Sequence, residues 1–175
     1  MTECTFFFDA YRCTGCMACV VACQDQNDFV TGDTVSFRQV SQHEEGVYPE
    51  TRIASHSGSC QHCLDGPCML VCPMQAISRR PEDGTVIVNR DICVGCHSCE
   101  LACPVGAPKF AEDGKMAKCD LCYVRRDHGM KPACVRTCPT DALKFGPIKE
   151  ISEKMRKKAS MRILKGLAGL SEEVD

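Results

Sequence analysis

The stretch that decides the fold is Cys93-Val94-Gly95-Cys96-His97-Ser98-Cys99-Glu100-Leu101-Ala102-Cys103-Pro104. Its spacing, C-x2-C-x2-C-x3-C-P, recurs without the final proline at Cys13, Cys16, Cys19 and Cys23, where Gln24 follows. Two further groups keep the outer pairs and lengthen the middle. They are Cys60, Cys63, Cys68 and Cys72, followed by Pro73, and Cys119, Cys122, Cys134 and Cys138, followed by Pro139. Sixteen of the 17 cysteines therefore fall into four groups of four.

This spacing is the bacterial ferredoxin run. A cubane cluster needs one thiolate per iron, and two-residue gaps let a curled loop aim successive sulfurs at three of its corners. The fourth cysteine, three residues on, points away and in two-cluster ferredoxins ligates the other cluster. Gly15 and Gly95 lie inside the loops, where a missing side chain lets backbone come close. Ala18, Ala22, Ser98 and Ala102 leave similar room. Proline after the last cysteine ends the local helix and turns the chain. Closed zinc sites also use C-x2-C pairs, but zinc gives no reason for the repeated fourth cysteine at x3. Disulfides need an oxidising compartment and would not generate four matched groups. The expected cofactors are four [4Fe–4S] clusters, with all sixteen grouped cysteines as ligands and no catalytic residue. Cys4 precedes a strand-like Thr5-Phe6-Phe7-Phe8-Asp9 and is read as a buried structural thiol outside the ligand set.

Composition agrees. In 175 residues Trp is absent, and Phe plus Tyr come to 10, so something other than an aromatic core must help hold the fold. The formal net charge of −2 argues against a nucleic-acid binder. Four oxidised clusters with their thiolates would add about −8, partly offset by the 21 Lys and Arg. The N-terminus Met1-Thr2-Glu3-Cys4 has no basic n-region or apolar h-region, and no apolar run reaches bilayer length. The reading is a protein without its own address or direct membrane span, cytoplasmic in the simplest case, so that any membrane association or co-export to the periplasm would have to come through a partner.

An internal repeat runs along the sequence. Arg12–Cys23 parallels Ile92–Cys103, and Cys72-Pro73-Met74-Gln75-Ala76-Ile77 parallels Cys138-Pro139-Thr140-Asp141-Ala142-Leu143. Thr85-Val86-Ile87-Val88, after the turn dipeptide Asp83-Gly84, is the clearest strand. The fold class is α+β: two ferredoxin-like dicluster modules of short strands and short helices. Residues 1–27 with 117–148 form the first module, 56–116 the second, 28–55 an insertion, and 149–175 a basic tail. Within the insertion, residues 35–40 have strand character, and the polar run 41–46 reads as a solvated loop. Residues 120–133, rich in charge, read as a docking surface in preference to a covering flap. In the tail Ile151, Met155 and Ala159 share a helical face, Leu164, Leu167 and Leu170 recur, and Gly166 and Gly169 weaken the helix. This tail is expected to pack on a partner subunit, and residues 171–175 to fray. His62 and His97 are expected to donate hydrogen bonds to sulfur or to lie at the surface. His43, His56 and His128 have no evident partner. Arg79, Arg80 and Lys118 are candidates for raising a cluster's potential, and Asp65 for lowering one.

The groups resemble the electron-transfer (beta) subunits of molybdenum and tungsten oxidoreductases, of the dimethyl sulfoxide reductase beta type. The similarity runs from about Thr5 to Ile148 and is carried by Arg12-Cys13-Thr14-Gly15-Cys16, Ser59-Cys60-Gln61-His62-Cys63, Ala102-Cys103-Pro104-Val105-Gly106-Ala107-Pro108, Lys118-Cys119-Asp120-Leu121-Cys122 and Phe145-Gly146-Pro147-Ile148. The resemblance implies nested ligation. Cys13, Cys16, Cys19 and Cys138 would hold one cluster, and Cys23, Cys119, Cys122 and Cys134 a second. Cys60, Cys63, Cys68 and Cys103 would hold a third, and Cys72, Cys93, Cys96 and Cys99 a fourth. It also implies a relay that is not an enzyme on its own, serving a molybdenum or tungsten pterin catalytic subunit, with a further electron-carrier or membrane-anchor subunit. Related subunits serve hydrogenases, formate-oxidising complexes, tungsten aldehyde oxidoreductases and ring-reducing complexes. A reading from another class is a non-redox protein that uses metal as a staple. The sequence has no G-x-G-x-x-G fingerprint, so nicotinamide would bind elsewhere.

Overall fold

The computed structural model describes residues 4–28 and 36–168. The expectations for Val35, Gly169, Leu170 and residues 171–175 lie outside that range. The strands are β1 (Cys4–Phe8), β2 (Gln39–Glu45), β3 (Arg52–Gly58), β4 (Ile77–Arg79), β5 (Val86–Val88), β6 (Lys109–Phe110), β7 (Met116–Ala117) and β8 (Leu143–Pro147). The helices are α1 (Ala18–Gln26), α2 (Pro67–Leu70), α3 (Ser98–Ala102), α4 (Tyr123–Asp127), α5 (Ala133–Arg136) and α6 (Ile148–Leu167). The result is a small mixed fold with four antiparallel two-stranded sheets among the described residues: β1 with β8, β2 with β3, β4 with β5, and β6 with β7.

Strand β1 closes on β8 from the far end of the sequence, with Phe6 opposite Phe145 and their rings meeting edge to face at 5.5 Å. An edge-to-face aromatic pair adds about 1 kcal/mol beyond its buried area. Three small apolar cores follow the same economy, and each includes cysteine. Cys19 and Cys134 pack with Val135 and Leu143, and Cys99 packs with Ile77, Val86 and Met116. Cys60 and Cys119 pack with Ala107. Cysteines stand where larger side chains would normally fill the interior.

The insertion differs from expectation. Residues 41–46 do not loop out: β2 runs on to Glu45 and pairs with β3 as a hairpin in register from Gln39–Gly58 to Glu45–Arg52. Most of its side chains face solvent on both sides, which is why polar residues occupy a strand; Ser55 and Ser57 are the buried positions of β3. Strand β3 also runs through the expected boundary between 55 and 56.

The charged excursion in the last cysteine group turns inward. Arg126 donates to Asp83 at 2.5 Å, to Thr85 Oγ1 at 2.7 Å and to the Leu121 carbonyl at 2.9 Å. Arg125 donates to Gln26 Oε1 and to the Lys131 carbonyl. Its arginines make intramolecular contacts that brace the last group against the β4–β5 turn, while Val124, His128, Met130 and Lys131 stay exposed.

Helix α6 is continuous for 20 residues. Ile151 and Met155 are half-buried, and Lys158 forms an ion pair with the buried Asp9. Arg162 lies over the Tyr11 ring, 4.7 Å from its centroid. The basic face thus ties the tail to its own protein, while Met161, Ile163, Leu164 and Leu167 stay exposed.

Candidate metal centres

The repeat read in the sequence is realised in the backbone. In the first group Gly15 and Met17 take φ of 69° and 60°; in the third, Gly95 and His97 take 67° and 61°. Two left-handed residues on alternate positions curl each loop around its own interior, and a helix then starts at the next residue, Ala18 or Ser98. Gln75 and Asp141, each three residues after a group's last cysteine, match at 50° and 52°. Cys19 and Cys23, one turn apart on α1, are both buried.

The first and third loops each line a hollow together with a cysteine from elsewhere. Cys13, Cys16 and Cys19 share one, partly open to solvent, with Cys138; Phe8, Val40 and Leu143 complete its wall. Cys93, Cys96 and Cys99 share another with Cys72, walled by Ile77, Val88, Phe110 and Met116. Electrostatic neighbours cross between the groups as well: Cys19 lies within reach of Cys134 and Cys138, Cys23 within reach of Cys122 and Cys134, and Cys68 within reach of Cys60 and Cys103. Cys119 is fully enclosed between the neighbourhoods of Cys23 and Cys60, and Cys63 is exposed on its loop.

The donor chemistry fits iron–sulfur clusters. The ligand atoms are thiols, and backbone N–H groups aim at them: His62 to Cys60 Sγ at 3.4 Å, Ala76 to Cys72 at 3.3 Å, Ala107 to Cys103 at 3.4 Å and Met116 to Cys93 at 3.5 Å. Such donors stabilise negative charge on sulfur and raise cluster potential. Burial pushes the Cys23 and Cys99 thiols up to about 11, and Cys119 higher still. Thiols this enclosed ionise against a metal cation rather than against water. At Cys138 burial is outweighed by backbone N–H groups of Leu143, Thr140 and Ala142 and by the Thr140 hydroxyl, and its pKa falls. At Cys96 the Ser98 N–H and hydroxyl lower it. Among the described residues, no three His, Cys, Asp or Glu side chains converge tightly enough for a single ion. The thiols are spread around the hollows.

The histidines take different places. His62 Nδ1 accepts from the Val86 N–H at 3.0 Å, so the ring proton resides on Nε2, which has no partner among the described residues. Burial, reinforced by Lys118, Arg126 and Arg79, pushes His62 down to about 2 and keeps it neutral. His97 is exposed, bonded to Glu100 at 2.8 Å and stacked on Phe110. His56 meets the Phe8 ring edge-on, and His128 bonds the Val124 carbonyl.

The potential-tuning candidates separate on geometry. Arg80 is neutralised by Asp83, Glu82 and Asp127 and lies over Tyr123, while Arg79 binds the Gly84 and His62 carbonyls. Asp65 is exposed. Lys118 is 5% exposed and donates to the backbone carbonyls of Val86 and of Cys119. Its charge reaches Cys68. Sequence reasoning missed Arg38, which is 2% exposed and lies near Cys19, Cys23 and Cys119. Nothing in its short, mixed segment marks it as buried.

Fold and site together define an iron–sulfur protein of the ferredoxin-like class. A family model described as a 4Fe-4S dicluster domain matches residues 51–148, and one described as a 4Fe-4S binding domain matches 10–29. The sequence is 44% identical over 162 residues to the B subunit of the anaerobic dimethyl sulfoxide reductase of Escherichia coli (strain K12), covering 87% of this protein and 78% of that one. It is 43% identical to the corresponding B subunit of Haemophilus influenzae, covering 92% and 82%. It is 42% identical to the thiosulfate reductase electron transfer subunit PhsB of Salmonella typhi, covering 81% and 74%. This protein belongs to the 4Fe-4S dicluster family that includes the dimethyl sulfoxide reductase B subunits. No helix among the described residues is long and apolar enough to cross a membrane.

Proposed function

We propose that this protein is the non-catalytic electron-relay subunit of a molybdenum or tungsten pterin oxidoreductase, built as two ferredoxin-like modules with nested ligands. The observation that carries it is the sharing of each loop's hollow with a distant cysteine, Cys138 with the first group and Cys72 with the third. On this reading Cys13, Cys16, Cys19 and Cys138 hold one cluster, and Cys23, Cys119, Cys122 and Cys134 the next. Cys60, Cys63, Cys68 and Cys103 hold the third, and Cys72, Cys93, Cys96 and Cys99 the fourth. When bound, each cluster supplies a one-electron couple.

The protein's own residues do the rest. Adjacent cysteines on α1, Cys19 and Cys23, belong to different sites, so one helical turn fixes the spacing between them. Apolar walls of Phe8, Leu143, Ile77 and Met116 exclude water. Backbone N–H donors and the buried Lys118 balance negative charge. With four thiols assigned to every cluster, no iron position is left open for substrate, which makes this subunit a conductor and leaves substrate chemistry to its partner.

The test is isolation of the native complex, with cofactor analysis of the co-eluting subunit and rapid-mixing reoxidation of the reduced relay subunit. A pterin-containing partner that withdraws electrons on mixing is expected. A complex with no pterin-containing subunit would overturn the assignment of the partner.

A further inference from the structure

Ser36, Phe37 and Arg38 lead into β2, and Arg38 carries its guanidinium inward until 2% of the residue remains exposed. A buried arginine ordinarily meets a carboxylate. Here its partners are neutral oxygens: Nη1 donates to Ser57 Oγ at 3.1 Å and to the Ser57 carbonyl at 3.4 Å, and Nη2 to Ser59 Oγ at 2.9 Å. The guanidinium lies 4.7 Å from the centroid of the Phe6 ring. Nε has no partner, and no carboxylate forms an ion pair with Arg38, among the described residues. Among the described residues, no protein anion matches this buried charge.

The hydrogen bonds give this charge a direction. Arginine only donates, so the Ser57 hydroxyl accepts from Arg38 and has its own proton left to give. Ser57 Oγ lies 3.5 Å from Cys19 Sγ, and both groups are buried. The Arg38–Ser57–Cys19 chain therefore orients and polarises the Ser57 hydroxyl as a donor toward the sulfur. Four residues along α1 from Cys19, Cys23 also receives the Phe37 N–H. The arginine thus stands where the site of Cys19 adjoins the site of Cys23.

We propose that Arg38 is the buried counter-cation shared by these two cluster sites, a positioning residue that acts on Cys19 through Ser57 and raises their reduction potentials above those the same ligands would give without it. The inference rests on the cluster assignment made above. Reduction adds one electron, so the site becomes one charge more negative, and a cation held in place by Ser57 and Ser59 favours that form without moving. The insertion, which looks peripheral in the sequence, then serves to carry this charge and its serine support into the junction.

The experiment is an EPR-monitored redox titration of the full-length protein, reconstituted anaerobically with iron and sulfide, as wild type, R38Q, R38K and S57A. In R38Q the potentials of one or both affected clusters fall, while the other two hold their values. R38K keeps most of the wild-type potential, and S57A lowers one cluster by a smaller step. Unchanged potentials in an iron-replete R38Q overturn the proposal. Should R38Q fail to load iron, S57A decides, since it leaves the guanidinium in place: a lowered potential supports the relay and an unchanged one overturns it. Failure of the underlying assignment would look different, because the wild type itself would then lack the expected clusters.

Discussion

Cys138 and Cys19 line one hollow although they belong to the last and the first cysteine groups, and Cys23, one turn beyond Cys19, lies within electrostatic reach of Cys122 and Cys134. On the proposed ligation, each outer group gives its final cysteine to the other. Strands β1 and β8, paired from opposite ends of the sequence, bring these groups together.

Exchange of this kind predicts which variants behave alike. Cys138→Ser and Cys16→Ser should alter the same cluster's EPR signal, and Cys122→Ser a different one. A shared signature between Cys138→Ser and Cys122→Ser would instead mean that each group holds its own cluster.

Two equivalent glycines should differ in tolerance. Both need positive φ, which costs an alanine on the order of 1 kcal/mol. A Cβ on Gly95 would also run into the Gly114 carbonyl oxygen, backbone that must shift to admit it. At Gly15 the tightest contact is the terminal amide of Gln42, which can swing aside, although Ser55 Oγ is also close. Gly95→Ala should lose about 2 kcal/mol or more and Gly15→Ala about 1 kcal/mol, read as iron release to a chelator at fixed temperature. Equal rates in the two variants would contradict this ranking.

The reading of Cys4 has a direct check. Burial pushes its thiol pKa up, it starts β1 opposite Pro147, and it stands apart from the four groups. Cys4→Ala should retain the full wild-type iron content, whereas loss of one cluster's worth of iron would place Cys4 among the ligands.

Helix α6 should loosen when its tether to Asp9 is cut. The Lys158 hydrogen bond, outweighing burial, with the Lys158 charge and the Tyr11 N–H, holds the Asp9 carboxyl below its ordinary value. A carboxyl whose folded pKa is depressed contributes stability that is complete above its unfolded value, near 4, and lost as pH falls through the lower folded one. Asp9→Asn should therefore reduce amide protection along α6 several-fold at pH 7, with the difference from wild type shrinking below about pH 4. Hydrogen exchange by mass spectrometry measures this, and equal protection at pH 7 would show that the tether is idle.

What could be read from the sequence followed from chemistry that acts locally. Cluster spacing, the loop glycines and the repeat are short-range, so Gly15–Met17 and Gly95–His97 adopt matched backbones as their pattern implies. The β2–β3 hairpin escaped because two-stranded ribbons exposed on both faces carry no hydrophobic alternation, and its polar residues look like loop. Arg126 and Asp83 look like ordinary surface charge until the fold brings them to 2.5 Å across 43 positions of sequence. Arg38 was hidden for a related reason, since the serine oxygens that receive its guanidinium, on Ser57 and Ser59, lie 19 and 21 positions away in sequence.

Four cubane clusters held by sixteen thiolates underlie the proposed relay, and iron and acid-labile sulfide counted together on the anaerobically isolated full-length protein decide whether they are there. About sixteen of each per molecule is the expected result. A folded protein holding about eight irons or fewer, or zinc in their place, would rule the four-cluster relay out.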